Sequence, residues 1–88
     1  MEKSVHSSEY RALCAELRHL REAAHLSQRE LAAVLDVPHS WVAKVERGER
    51  RLDLVEFFWF AAACQADPVA SIKRIRQSAK SSTGSRAK

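Results

Sequence analysis

The segment from residue 27 to residue 48 constrains the fold of this chain more than any other stretch, because it carries the start and stop signals of two short helices. Ser27 is a good N-cap, and Glu30 three residues later completes a capping box. Leu31 and Leu35 are four residues apart and therefore lie on one face of the helix that follows the cap. The segment thus begins with a short amphipathic helix.

A tight turn and a second short helix follow in the same segment. Asp36 tolerates the left-handed backbone conformation that a turn requires, and Pro38 begins a helix but cannot continue one. The second helix is expected from about His39 to Arg47, with Gly48 as a typical residue just past its end. Two helices joined in this way form a helix-turn-helix, whose second helix is suited to the major groove of DNA.

Three further helices are expected around the helix-turn-helix. In the first, from Ser8 onward, apolar side chains recur at three- and four-residue steps, at Tyr10, Leu13, Leu17, Leu20 and Ala24. His25 follows where this helix has to end, and it adopts the left-handed conformation only at some strain. A fourth helix is expected from Leu54 to about Gln65, and a fifth from Pro68 to about Arg76, each after an aspartate N-cap.

The predicted domain spans residues 8 to 76 and leaves both ends of the chain outside it. Residues 1 to 7 lack apolar periodicity and are expected to be flexible. Residues 77 to 88 are basic and too poor in apolar side chains to pack, which predicts a disordered tail. This tail either only solubilises the chain or acts as an accessory phosphate-binding arm. We therefore expect one compact, all-α, five-helix domain.

Composition agrees with this expectation and argues against several classes of protein. With 88 residues, 45 % of them hydrophobic, the chain can form one small core, and two prolines and two glycines leave little room for β-turns. The net charge of +4 is compatible with a polyanionic partner but does not establish one. No apolar run has the length of a signal peptide or a membrane span, so we expect a cytoplasmic protein without membrane contact.

No residue pattern indicates a metal, a cofactor or a catalytic centre. Cys14 and Cys64 are far apart in the sequence, and the four histidines show no ligand spacing. We interpret the two cysteines as small buried residues of a reducing compartment rather than as a disulfide or a zinc site. No nucleophile with a base, no paired carboxylates and no glycine-rich phosphate loop stand out, so neither an enzyme nor a small-molecule ligand is expected.

Three segments carry a family resemblance, at residues 17 to 28 (LRHLREAAHLSQ), 42 to 50 (VAKVERGER) and 54 to 66 (LVEFFWFAAACQA). In this order and spacing they resemble the lambda-repressor-like, Cro-type helix-turn-helix family of transcription regulators, often called XRE. The match extends over residues 10 to 75 and departs from the family at His25, where glycine is usual. The resemblance implies a lambda-repressor-like fold that binds double-stranded DNA through its third helix, the recognition helix.

The resemblance also implies which side chains of the recognition helix contact bases. A helix in the major groove reaches base edges from its exposed N-terminal turns, where the outward positions are His39, Ser40 and Lys44. Val42 and Val45 are expected to face the core instead. Lys44 would donate to guanine O6 and N7 and His39 to a purine N7, whereas Ser40 specifies little by itself. The alternative for each is an ordinary solvated polar residue.

Contacts to the DNA backbone are implied around the same helix. Gln28 stands at the positive end of the second helix, where the family uses a glutamine to contact the backbone and to brace the recognition helix. Trp41 either contacts a sugar or thymine methyl group while its N–H reaches a phosphate, or it covers part of the core. Four arginines flank this surface and are either phosphate contacts or solvated charges: Arg29, Arg47, Arg50 and Arg51.

A structural ion pair is implied between Arg21 and Glu46. In the family, an arginine seven residues before the helix-two glutamine pairs with a glutamate near the end of the recognition helix, and both residues are present here. Such a pair would be partly buried and would connect the first helix to the third. Its net contribution to stability is small, but removing one partner is expected to be costly.

The fourth helix is apolar nearly all round. Val55, Trp59 and Ala62 form a second stripe, with Phe58 beside it, where the family usually has polar residues. A helix of this kind has to be covered on both sides, and an exposed apolar patch often marks an interface. We expect these four residues to form a homodimer interface; alternatively, the fifth helix or the N-terminal segment folds over them.

These expectations define a function and one alternative. The chain is predicted to be a sequence-specific transcription regulator, specifically a repressor that binds a palindromic operator as a homodimer. The alternative is a protein-interaction module, chiefly the antitoxin of a toxin–antitoxin pair, whose apolar fourth helix binds a second protein.

Overall fold

The computed structural model describes residues 7–82, and within that range the chain is five α-helices without a strand. In chain order these are α1 (Ser8–Ala23), α2 (Gln28–Leu35), α3 (His39–Glu46), α4 (Leu54–Ala63) and α5 (Pro68–Ser82). The expected all-α, five-helix architecture is therefore confirmed, with the helix-turn-helix formed by α2 and α3.

α2 and α4 begin at residues whose chemistry favours a cap. Ser27 and Glu30 form the predicted capping box before α2, and Asp53 and Glu56 form a second one before α4. Each box satisfies backbone N–H groups that the first turn of a helix leaves without a partner. Pro38 precedes α3 and provides no side-chain cap.

Three helix ends use a left-handed residue other than glycine. His25 follows α1 with φ 62°, Asp36 follows α2 with φ 59°, and Gln65 follows α4 with φ 57°. Only α3 is followed by the residue best suited to this conformation, Gly48 at φ 77°. The sharp reversals between helices are thus made at some backbone strain.

The core lies where the first four helices meet. Its fully buried side chains come from α1 to α4: Leu17, Leu31, Val42, Val45 and Phe60. α1 packs against α3, α4 and α5, while α2 packs against α3 and α4. α1 and α2 therefore pack against one face of α3, and the opposite face of α3 is exposed to solvent.

α5 is longer than the sequence predicted, which corrects the expected domain end at residue 76. The helix continues to Ser82, and Ala79 is only 4 % exposed. Arg74 of α5 also pairs with Glu16 of α1, at 2.7 Å between Nη2 and Oε2. Packing on α1 stabilises residues that composition alone assigned to a tail. Residues 83 to 88 of that predicted tail, and residues 1 to 6, lie outside the described range.

Within residues 7–82, no helix combines the length and the apolar character needed to cross a membrane.

Candidate nucleic-acid interface

α3 has one face in the core and one face in solvent. Val42 and Val45 are fully buried, and they fix the helix against α1 and α2. His39, Ser40 and Lys44 are exposed on the opposite side, within the first two turns. The structure therefore places the three predicted base-reading residues on the exposed face of a short, firmly packed helix, with His39 and Ser40 at its start and Lys44 in its last turn.

A buried polar network holds the end of α3. Arg21 of α1 donates from Nε to Oε2 of Glu46 at 2.6 Å and from Nη2 to Oε1 at 3.1 Å. Its Nη1 donates to the carbonyl oxygen of Leu26 at 2.9 Å. The hydrogen bonds to Glu46 raise the pKa of Arg21 further above its ordinary value, so the guanidinium stays charged. The ion pair implied by the resemblance is present and connects α1, the turn after it, and α3.

Gln28 joins the same network from α2. Its Nε2 donates to Oε1 of Glu46 at 3.0 Å, and its side chain is partly exposed. This contact is the brace between α2 and the recognition helix that the resemblance implied. Arg29, the next residue, is exposed on α2 beside it. Both side chains lie at the N-terminal end of the helix, where backbone N–H groups favour an anion.

The loop between α3 and α4 contains three of the four predicted phosphate-contacting arginines, and each has a defined contact. Arg47 pairs with Glu49 in the exposed part of the loop, at 2.9 Å between Nε and Oε2. The guanidinium of Arg51 lies over the ring of Tyr10, 5.0 Å from its centroid. The sequence leaves these arginines as either phosphate contacts or solvated charges, and it does not indicate the contacts that they make within the domain.

Tyr10 also fixes this loop directly. Its hydroxyl accepts a hydrogen bond from the backbone N–H of Leu52 at 2.9 Å, and burial raises the pKa of Tyr10. The sequence had placed Tyr10 on the apolar stripe of the first helix without a polar role. Its contact with Leu52 joins residues 42 positions apart, which no local pattern indicates.

Arg50 differs from the other loop arginines because it contacts two helices. Nη1 and Nη2 donate to the two carboxylate oxygens of Glu56 on α4, at 3.1 and 3.0 Å. These hydrogen bonds lower the pKa of Glu56. The guanidinium also lies over the ring of Trp41 on α3, 5.2 Å from its centroid. Trp41 is partly buried and packs against the core. Of the two roles considered for Trp41, DNA contact or cover of the core, only the second has contacts in this structure.

The apolar stripe of α4 is exposed. Val55 is 51 %, Phe58 44 % and Trp59 59 % exposed, and Ala62 is also exposed. α5 therefore does not fold over these four residues, which we call the α4 stripe. Three further apolar side chains of α4 and α5 are also exposed: Leu54, Val69 and Ile72. The alternative that involves the N-terminal segment falls on residues outside the described range.

Neither cysteine forms a disulfide, and no cluster of three or more His, Cys, Asp or Glu that could hold a metal occurs among residues 7–82. The thiol of Cys14 donates to the carbonyl oxygen of Val45 at 3.6 Å. Burial raises the pKa of Cys64 to about 11, so this thiol is protonated at neutral pH. Both cysteines lie beside the α1–α3 contact and pack as small apolar residues.

Comparisons with known proteins agree with this geometry. A family model described as a helix-turn-helix domain matches residues 12–71. A solved structure of an XRE-family like protein from Pseudomonas syringae pv. tomato str. DC3000 is 41 % identical, with a TM-score of 0.76. The match covers 83 % of this chain and 89 % of that one. No curated protein matches the chain. By its buried framework, its exposed third helix and these two matches, the chain belongs to the XRE family of helix-turn-helix DNA-binding proteins.

Proposed function

We propose that this protein is a sequence-specific transcription regulator that acts in the cytoplasm as a repressor and binds a palindromic operator as a homodimer. The observation that carries the proposal is the position of His39, Ser40 and Lys44 on the open face of α3. A rigid helix with polar residues along its exposed face fits the major groove and presents donors to base edges.

Phosphate contacts hold the domain in register on the duplex but carry no sequence information. We assign this role to Gln28 and Arg29 at the start of α2, and to Arg47 and Arg51 in the loop after α3. The first pair precedes the recognition helix in the chain and the second pair follows it. In this proposal, backbone contacts from both segments hold the base-reading residues in register.

A homodimer supplies the specificity that one domain lacks. Three base-reading residues select too few base pairs to define a unique site in a genome, whereas two domains double the number. Two recognition helices on a two-fold axis reach successive major grooves when their centres are about 34–36 Å apart. The exposed α4 stripe is the surface we assign to this dimer, since a two-fold axis repeats the same patch against itself.

Repression is the simplest regulatory outcome for such a dimer. It requires only that the operator be occupied, and a DNA-binding dimer provides occupancy by itself. We assign no sensor role, cofactor or small-molecule ligand to the domain, so the concentration of the dimer would set the fraction of operator bound.

Selection of bound sequences from a random pool of duplex DNA near physiological salt tests the proposal. We expect enrichment of an inverted repeat whose half-sites are one helical turn apart. Failure to enrich any sequence would contradict the proposal. Purification of a stable complex with a second protein seated on the α4 stripe would favour the protein-interaction module, because the stripe would then serve another partner.

A further inference from the structure

Arg50 is the residue whose contacts depart furthest from those of a phosphate-binding arginine. Both oxygens of Glu56 accept from its guanidinium, and Nη1 also donates to the carbonyl oxygen of Arg51 at 2.8 Å. One face of the guanidinium is covered by Trp41. A planar group with its charge balanced by a bidentate carboxylate and its face on an aromatic ring is geometrically fixed.

Glu56 is fixed as well. Its Oε1 accepts from the backbone N–H of Asp53 at 3.0 Å, and its own backbone N–H donates to Oδ1 of Asp53 at 2.8 Å. The carboxylate is therefore part of the cap of α4 and is mostly buried, at 18 % exposure of the side chain. If Arg50 turned toward a phosphate, the carboxylate of Glu56 would lose the charge-assisted hydrogen bonds that the guanidinium donates to it.

The two contacts of Arg50 lie on the two functional elements of the domain. Trp41 follows Ser40 on α3, the helix that presents the base-reading residues. Glu56 follows Val55 on α4, the helix that carries the α4 stripe. α3 and α4 are joined by the short loop in which Arg50 lies, and both helices contribute buried side chains to the core. A single side chain thus spans from the DNA-facing helix to the proposed dimer helix.

We propose that Arg50 is a positioning residue: through Trp41 and Glu56 it fixes α3 relative to α4, and it thereby sets the separation of the two recognition helices in the dimer. This inference rests on the proposed function, because it assigns the distance between half-sites to a contact inside each subunit. It replaces the role of phosphate contact that sequence reasoning gave to Arg50, and it assigns to Trp41 the role of a support for that contact.

A measurement without DNA tests the contact itself. The chain has two tryptophans, so Trp59→Phe leaves Trp41 as the single tryptophan, whose emission is measured by selective excitation of the indole. In that background we expect Arg50→Ala and Arg50→Lys to increase acrylamide quenching of Trp41, because lysine keeps the charge but not the planar fork. Arg29→Ala, which removes the same charge from α2, serves as the matched control and should leave quenching unchanged. Unchanged quenching in both Arg50 variants would overturn the proposal.

Glu56→Gln separates positioning from phosphate binding by the sign of its effect. Glutamine retains the capping pattern of α4, so the fold is preserved. If Arg50 positions α3, loss of the carboxylate weakens binding to the selected operator, by about tenfold for 1.4 kcal/mol of lost coupling. If Arg50 binds phosphate, removal of a neighbouring negative charge strengthens binding. Stronger binding by Glu56→Gln would overturn the proposal.

The salt dependence and the operator spacing complete the test. We expect Arg50→Ala to leave the slope of log affinity against log salt unchanged and to broaden the preference among operators with altered half-site spacing. A slope reduced by about 1 would identify a lost phosphate contact and overturn the proposal. If the unmodified protein did not bind DNA, the proposed function would be contradicted. The quenching experiment would still show whether Arg50 contacts Trp41.

Discussion

Arg21 and Glu46 form a bidentate ion pair between α1 and the end of the recognition helix, with side chains only 11 % and 4 % exposed. The pair lies directly under the surface that we assign to DNA, and Gln28 donates to the same carboxylate. One buried glutamate therefore receives donors from both helices that surround it. The orientation of α3 therefore depends on the buried carboxylate of Glu46, which accepts hydrogen bonds from Arg21 on α1 and from Gln28 on α2.

Glu46→Ala is expected to destabilise the fold by about 3–5 kcal/mol, because Arg21 would keep its charge in a buried position without a partner. Arg21→Met combined with Glu46→Leu should recover much of this loss, since both charges are replaced by apolar groups of similar size. Chemical denaturation of the three proteins measures the free energy of unfolding. A Glu46→Ala variant as stable as the unmodified protein would contradict this account.

The exposed pair Arg18–Glu22 on α1 provides the control for burial. Its side chains are 67 % and 56 % exposed, although the Nε–Oε2 distance is 3.2 Å. Glu22→Ala should change the free energy of unfolding by less than about 1 kcal/mol, as is usual for surface pairs. A loss as large as that of Glu46→Ala would mean that burial is not the cause.

Lys44→Ala should cost about 1–3 kcal/mol on the selected operator and relax the preference at one base pair of each half-site. The reason is that a side chain on the open face of α3 donates to a base edge, whereas a phosphate contact carries no sequence information. Competition binding with single-base operator variants measures this. Lys73→Ala removes another exposed lysine, from α5, and should leave the preference unchanged. Retained preference in Lys44→Ala would show that α3 is placed wrongly on the DNA.

Trp59→Glu is expected to give a folded monomer. The side chain is 59 % exposed, so the charge does not enter the core of the subunit, but in a two-fold dimer it would meet its own copy across the axis. Light scattering should report half the mass, circular dichroism an unchanged helix content, and binding to the palindrome should be much weaker. Val34→Glu, on the exposed face of α2, is the matched control and should remain dimeric. A dimeric Trp59→Glu protein would place the interface elsewhere, on α5 first of all.

Cys64 is expected to resist thiol reagents until the protein unfolds. Burial raises its pKa to about 11 from an ordinary value of 9.0, so the reactive thiolate is scarcer in the folded than in the unfolded protein at pH 8. In a Cys14→Ser variant, where Cys64 is the single thiol, the labelling rate should rise steeply across the denaturation midpoint. Rapid labelling of the native protein would show that Cys64 is accessible.

Much of the fold follows from local sequence signals. Several helix boundaries depend only on residues within one or two turns of them. They are the capping box at Ser27, the left-handed turn residues His25 and Asp36, and the end of α3 before Gly48. Local signals of this kind determine where helices begin and end. The Arg21–Glu46 ion pair is predicted from the family resemblance, because no local sequence signal connects residues so far apart.

The features that the sequence did not reveal depend on tertiary packing. Ala79 extends α5 because it is buried in the assembled domain, while its neighbours in the sequence are polar. Arg50 has the composition of a surface charge, and only the approach of α4 brings Glu56 within 3.1 Å of it. Tyr10 gains its polar role from a loop that packs against α1. In each case the contacting residue belongs to another helix or loop, and the periodicity and spacing of the sequence do not indicate such contacts.

The pair of Glu16 and Arg74 has a consequence for how the chain folds during synthesis. Glu16 lies on α1, whereas its partner on α5 is synthesised 58 residues later. Until then, the face of α1 that α5 covers stays in water, and α1 to α4 can meet without trapping an unpaired charge. Because residues are added at about 5–20 per second, this interval lasts several seconds. Until α5 has been translated, water takes the place of Arg74 at the carboxylate of Glu16.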